Sequence, residues 1–302
     1  MPAFVAGPVR VSVPATSANL GPGFDSLGLA LDLRDQLEGE ILARGLVVEV
    51  QGAGGDDVAR DESHLVVRSM RAGFEALGGQ PEGLRLSCTN AIPHGRGLGS
   101  SSAAIVGGLA LARALVVDGD RLLDDDALFC LAARIEGHPD NVAPAVHGGF
   151  VISGQEDGEF YAVGSPVDPA VAVVVFVPPT PVSTEVARGL LPAQVPHADA
   201  AADAGRTALL VAALAGRTDQ LWRATRDYLH QDYRRPAMPQ SLALVDALRA
   251  DGVAALVSGA GPTVLALRAG DTSPDAATLL ARAPEGWLAL ALRVDHDGVR
   301  AD

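Results

Sequence analysis

Three consecutive serines, Ser100, Ser101 and Ser102, stand where a glycine-rich stretch gives way to a run of small residues. The stretch reads PHGRGLGSSSA: Pro93, His94, Gly95, Arg96, Gly97, Leu98, Gly99, the serines and Ala103. Glycines ahead of a helix leave backbone N–H groups free to point at an anion, and hydroxyls add donors or a metal ligand. The familiar phosphate loop needs Gly-Lys-Ser/Thr, whereas here Ser100 follows Gly99. This is an anion loop of another kind. A tight helix-packing turn would account for Gly97 and Gly99 but leaves three hydroxyls in the first helical turn unexplained.

Three further segments concentrate polar groups among glycines. In TSANLGPGFDSLG (16–28), Asn19 and Asp25 flank glycines that would let backbone approach a ligand, although the same residues build ordinary turns. In EGHPDNVAPAVHGG (136–149), Glu136, His138, Asp140 and Asn141 crowd the turn after an apolar helix, a density expected of a site rather than a connection. In VSGAGPTVLAL (257–267), a glycine turn joins two apolar strands and is either a plain hairpin or a lid over phosphates.

The elements that must position these groups follow from periodicity. Val9, Val11 and Val13 alternate as a strand, residues 46–51 and 84–89 read as further strands, and residues 64–77 have helical spacing. A small-residue helix spans 100–115. Asp124, Asp125 and Asp126 are expected to cap a helix over 127–136 and complement its dipole rather than bind metal. Strands are expected at 149–153 and 160–163, with GSPVDP (164–169) as a linker dividing domains 1–165 and 166–302. The second domain opens on a buried strand at 171–177, continues through Ala-rich helical segments over 198–228 and a helix at 241–250, and reaches a strand, glycine turn and strand over 254–267.

Composition narrows the function. The chain has 302 residues, 48% hydrophobic but only 4% aromatic, and a formal charge of −14. Its field repels nucleic acid and anionic lipid, and no arginine run makes a compensating patch, so neither partner is expected. All 23 basic residues are arginine, which removes lysine from every mechanism. Cys88 and Cys130 form no disulfide framework or zinc motif, pointing to a reducing, cytoplasmic setting. The first residues lack a signal-peptide pattern, and the most apolar run, VAVVVFV, is too short to span a bilayer.

Taken together and in this order, the four segments resemble the GHMP kinase superfamily and, within it, the homoserine kinases. PHGRGLGSSSA is similar to the superfamily's phosphate loop, SGAGPTVLAL to its C-terminal glycine motif, and TSANLGPGFDSLGLAL with EGHPDNVAPA to segments particular to homoserine kinases. STEVAR (183–188) and DYRRP (232–236) are similar to that family's amino-acid-binding segments. Two departures stand out: His64 occupies a position where family members commonly carry Asn, and the acidic tail after Leu292 has no counterpart in the pattern.

The resemblance implies an α+β, two-domain GHMP kinase fold, with an N-terminal domain like ribosomal protein S5 domain 2 and a ferredoxin-like C-terminal domain. It implies that residues 93–103 bind ATP and that Ser101 and Glu136 hold Mg²⁺. It places Asn19, Asp25, His138, Thr184, Arg188, Arg234 and Gly261 around L-homoserine, Asp25 facing the ammonium and the two arginines the carboxylate. Ser101, Glu136, Asn141 and Asp25 are its catalytic candidates. Asn141 stands where a carboxylate base would be sought, and an amide cannot take the proton, so positioning and Mg²⁺ are expected to suffice. A sugar or isoprenoid kinase of the same superfamily would not need the Asp25, Arg188 and Arg234 set. A serine amidase would need a lysine, and a non-catalytic sensor would not need Glu136 with the serine loop. Oligomeric state is left open, a homodimer being one outcome.

Overall fold

The computed structural model describes residues 2–270 and 273–301. The first half runs β1 (Val9–Ala18), β2 (Leu27–Leu42), β3 (Gly45–Gly52), α1 (Leu65–Ala76), β4 (Gly83–Asn90), α2 (Ser100–Ala114), α3 (Gly119–Leu122), α4 (Asp125–Glu136), α5 (Val142–His147), β5 (Phe150–Glu156) and β6 (Glu159–Ser165). The second half runs β7 (Val171–Val177), α6 (Thr184–Gly189), α7 (His197–Leu214), α8 (Leu221–Ala224), a 3₁₀ turn at Asp232–Ala237, α9 (Pro239–Ala250), β8 (Ala254–Val257), β9 (Val264–Ala269), α10 (Ala276–Leu280), β10 (Leu288–Arg293) and β11 (Arg300–Ala301).

Two sheets result. The larger is ordered β11-β1-β2-β4-β3, with β5 on β2 and β6 on β5; the smaller is antiparallel, β10-β7-β9-β8. The smaller sheet explains why residues 171–177 are continuously apolar. Val171, Val173, Val175 and Val177 join the larger core, while Val174 and Phe176 on the other face pack with Met238, Leu242 and Leu248. A strand covered on both faces has no polar side to show. The acidic triplet behaves as expected: Asp124 caps α4, its carboxylate accepting the Ala127 N–H at 2.9 Å.

Three features depart from the sequence reading. The linker begins later than 164, because Gly164 and Ser165 complete β6 in register with Val151 and Phe150. β2 is a 16-residue strand following the glycine turn directly; its bend between Leu31 and Arg34, where the β1 register shifts, breaks the alternation that would have revealed it. The chain's end crosses the boundary expected at 165: Arg300 and Ala301 pair with Ser12 and Val11. There the acidic tail has its purpose, since buried Asp295 makes an ion pair with Arg34 and accepts the N–H groups of Asp297 and Gly298. Among the described residues no helix is long and apolar enough to cross a membrane.

Candidate active site

β1 ends in a turn whose backbone enters the left-handed region at Asn19, Leu20 and Asp25 (φ 66°, 49° and 54°). Asn and Asp tolerate that region better than other side chains. The turn is locked by its own amide, Asn19 Oδ1 accepting the Asp25 N–H at 3.0 Å, while Asn19 Nδ2 donates to the Gly259 carbonyl at 2.9 Å. A segment ambiguous in sequence thus spans 240 residues of chain to meet the C-terminal glycine motif.

The serine loop is pressed between these two segments. A Cβ at Gly97 would run into the Ser258 carbonyl and one at Gly99 into Thr16 Oγ1, and both glycines have positive φ (79° and 70°). No larger residue fits at either point. Leu98 anchors the loop in the core, and its carbonyl accepts the Thr16 N–H at 3.1 Å. The loop delivers the N-terminus of α2, where Ser101 Oγ donates to Glu136 Oε2 at 2.8 Å and Ser102 Oγ to Glu136 Oε1 at 3.0 Å. Glu136, the last residue of α4, therefore has each carboxylate oxygen on one serine. Ser101 is exposed and Ser102 buried, leaving Ser101 as the hydroxyl a ligand can reach.

Beyond Glu136, His138 Nδ1 lies 2.7 Å from Asp140 Oδ1, and that oxygen also accepts the Asn141 N–H at 2.9 Å. The Asp140 hydrogen bond holds the His138 pKa above its ordinary value against the opposing effect of burial. Thr16 Oγ1 donates to Asn141 Oδ1 at 2.8 Å, so the asparagine offers the cleft its N–H groups rather than its oxygen.

The arginines differ from one another. Arg188 is bidentate on Asp25, at 3.0 and 2.6 Å, which raises its pKa. The residues expected to hold opposite ends of one substrate hold each other here. Arg234 is 1% exposed yet lines the cleft. Its Nη1 donates to the Gly259 carbonyl at 3.1 Å, while its buried Nε has no partner. Burial first, and then the neighbouring Arg188, push its pKa down to about 10, which leaves it charged at neutral pH. Arg96, expected on phosphate, instead gives its three nitrogens to the carbonyls of His94, Pro178 and Pro179, tying the loop to the end of β7.

A cavity of about 170 Å³ gathers Asn19, Gly95 to Gly97, Gly99 to Ser102, Glu136, His138, Asn141, Thr184, Arg188, Arg234 and Gly261. Thr184 and Arg188 sit one turn apart on α6, whose N-cap is Ser183. Asp25, paired with Arg188, is not among the lining residues, and neither are Pro93 and Leu98. A second cavity, of about 350 Å³, opens on the other side of Ser100 and Ser101, lined by His94, Ala103, Leu65, Cys88, Asp35 and His64. The sequence reading missed Thr16, Ser258, Asp35 and His230. Ser258 donates to the Gly97 carbonyl at 2.6 Å, and Asp35 Oδ1 accepts the N–H groups of Ala91 and Ile92 ahead of the loop. For Thr16, the signal available was a hydroxyl on a strand two residues before it gives way to the glycine turn.

Against known proteins, residues 64–149 match the model of the GHMP kinases N-terminal domain and residues 209–286 that of the GHMP kinases C-terminal domain. A homoserine kinase of Streptomyces avermitilis is 56% identical over 297 residues, covering 98% of this chain and 96% of its own. The chain belongs to the homoserine kinase family. A second member, from Rhodococcus opacus, is 48% identical over 97% of the chain and 96% of its own length. The crystal structure of the family member from Cytophaga hutchinsonii superimposes with a TM-score of 0.85 at 26% identity, covering 99% of both chains. Outside the family, a mevalonate kinase of L. major shares the fold with a TM-score of 0.71 at 17% identity, over 97% of this chain and 98% of its own.

Proposed function

We propose that this chain transfers the γ-phosphoryl group of ATP to the side-chain hydroxyl of L-homoserine, giving O-phospho-L-homoserine, a step of threonine biosynthesis. The observation that carries this reading is Arg234. A buried guanidinium that lines the cleft, has an orphan Nε and sits beside a second arginine is costly unless an anion completes it. Homoserine's carboxylate supplies that anion, and its ammonium suits Asp25 and Asn19.

The phosphates go to the N-terminus of α2 and the backbone of residues 95–99, where dipoles and N–H groups favour negative charge. The larger cavity, with Leu65, Cys88 and Ala104 on its walls, suits the nucleoside, and His64 lines it. Ser101 and Glu136 offer oxygen ligands only, and among the described residues no group of three or more His, Cys, Asp or Glu is arranged to hold a metal ion by itself. That donor set fits Mg²⁺, which keeps phosphate and water for its remaining positions. When bound there, Mg²⁺ supplies neutralisation of the charge on the phosphates.

The carboxylates near the acceptor are engaged: Asp25 with Arg188, Asp140 with His138 and the Asn141 N–H, and Glu136 with two serines. This supports transfer without a dedicated general base, Asn141 orienting the hydroxyl through its N–H groups. The test is a coupled ADP-release assay over homoserine, serine, threonine, mevalonate and galactose. Homoserine should be used best, and equal or faster turnover of any other acceptor would overturn the assignment.

A further inference from the structure

His230 lies outside the cleft and has no part in the chemistry above, yet its ring closes a circuit of hydrogen bonds around the acceptor site. Its Nε2 is 2.7 Å from the Gly21 carbonyl, and its Nδ1 is 3.1 Å from Arg234 Nη1. The Gly259 carbonyl accepts from both Arg234 Nη1 and Asn19 Nδ2, and Asn19 leads back through the chain to Gly21. A carbonyl only accepts, so Nε2 must carry the hydrogen. In the neutral ring Nδ1 is then an acceptor, as the Arg234 donor requires. The ring is 1% exposed and packs against Phe24 at 5.2 Å, and the guanidiniums of Arg234 and Arg188 each lie 5.5 Å from the centre of that same Phe24 ring.

We propose that His230, in its neutral Nε2–H form, is a positioning residue that aims Arg234 at the carboxylate of the acceptor. The inference rests on the reading of Arg234 as the carboxylate-binding group. A second proton on His230 would set a donor against the Arg234 donor and open the circuit. The charged groups facing the ring are Asp227, 3.6 Å from Nε2 on the preceding turn, Arg234 on the 3₁₀ turn, and Asp25 on the N-terminal turn. Asp227 is occupied with the N–H groups of Leu229, His230 and Gln231. Burial outweighs the two carboxylates and keeps the ring neutral to lower pH than an ordinary histidine.

The experiment compares kcat/KM for homoserine with that for 3-aminopropanol, which keeps the amine and hydroxyl and lacks the carboxylate. Parent, His230→Gln, His230→Asn and Arg234→Ala are measured side by side. Gln can keep the donor to Gly21 but not the acceptor for Arg234; Asn can keep an acceptor at the Nδ1 position. His230→Gln should lower the preference for homoserine by about tenfold or more through KM, with KM for ATP within about twofold of the parent. His230→Asn should stay within about threefold of the parent preference. In the parent, kcat/KM for homoserine should fall on the acid side along a limb absent with 3-aminopropanol and lost in His230→Asn, which has no ring to protonate. If His230→Gln keeps the parental preference while Arg234→Ala loses it, His230 does not position Arg234. If Asn and Gln lose it equally, the ring only fills space. If Arg234→Ala keeps the preference, the carboxylate assignment fails and this inference falls with it. Should a histidine variant not fold, equal acid limbs for both acceptors in the parent would overturn the proposal.

Discussion

The two sides of the cleft are built from different materials. On the serine side, residues 95–102 and Glu136 present backbone N–H groups, neutral hydroxyls and one carboxylate, and the one arginine in the loop is turned away onto carbonyls. On the opposite side, Asp25, Arg188 and Arg234 present full charges, Arg234 buried and the other two part-exposed, brought together across 163 residues between Asp25 and Arg188. On the proposed assignment of the two sides, a nucleotide arrives with several charges and its own cation, so preorganised dipoles at a helix N-terminus suffice. An amino acid brings one charge of each sign and must be matched by complete counter-charges out of water. The first surface can be local in sequence, whereas the second must be assembled by the fold.

That contrast is most open to attack at Glu136. Glu136→Gln should lower kcat by about two to three decades while leaving the Kd for ATP nearly unchanged, because charge stabilisation grows toward the transition state. Ser101→Ala should follow in the same direction with a smaller loss. Near-parental turnover of Glu136→Gln at saturating Mg²⁺ would remove the metal assignment.

Next in size, Arg188→Ala and Arg234→Ala should each cost about 2 to 4 kcal/mol in kcat/KM for homoserine, the range for charge-assisted bonds, with ATP affinity unmoved. A parallel loss of ATP affinity would erase the distinction between the two sides.

The serine side was legible in sequence because it is contiguous: glycine spacing, three hydroxyls and Glu136 at a helix end all lie within 93–141. Its fold was legible for the same reason, since α1 and β4 carry clean periodicity and α2 is a run of small residues directly after the glycine loop. The acceptor side was legible only through resemblance to a family, as Arg188 and Arg234 differ from part-exposed Arg235 in no local respect. What stayed hidden depended on tertiary contact. Nothing near His64 announces an orphan Nδ1 against a cavity, nothing near Thr16 announces Asn141, and the bend in β2 conceals the strand that carries the larger sheet.

A smaller effect is expected where the two sides meet. Asn141→Ala should cost less than about two decades in kcat, below the loss when a true general base is removed, and Thr16→Val about one decade by releasing the amide from its hydroxyl. A sharp acidic limb in the parent kcat profile that vanishes on mutating Asp25 or Asp140 would restore a carboxylate base.

The smallest effect tests the electrostatic cost of a buried carboxyl outside the cleft. Asp203, buried beside Asp227, has its pKa raised to about 6, chiefly by burial. A carboxyl whose folded pKa lies above its unfolded value favours the fold below the unfolded pKa, and that contribution is lost as pH rises through the folded pKa. Asp203→Asn, whose amide oxygen can still accept the Tyr228 N–H, should therefore raise Tm by a few degrees at pH 8, with little effect near pH 4. An unchanged or lowered Tm at pH 8 would mean that the buried charge costs the fold nothing.

The pairing of β11 with β1 also constrains the order of assembly during synthesis. Residues 294–301 leave the ribosome after every other element, yet Asp295 docks on Arg34 and Arg300 pairs at Ser12, near the opposite end of the chain. Until then the nascent chain keeps Val11 and Ser12 as an open strand edge of the kind that recruits other chains. A ribosome stalled short of codon 294 would hold a molecule with its cleft residues already translated and that edge still unsealed.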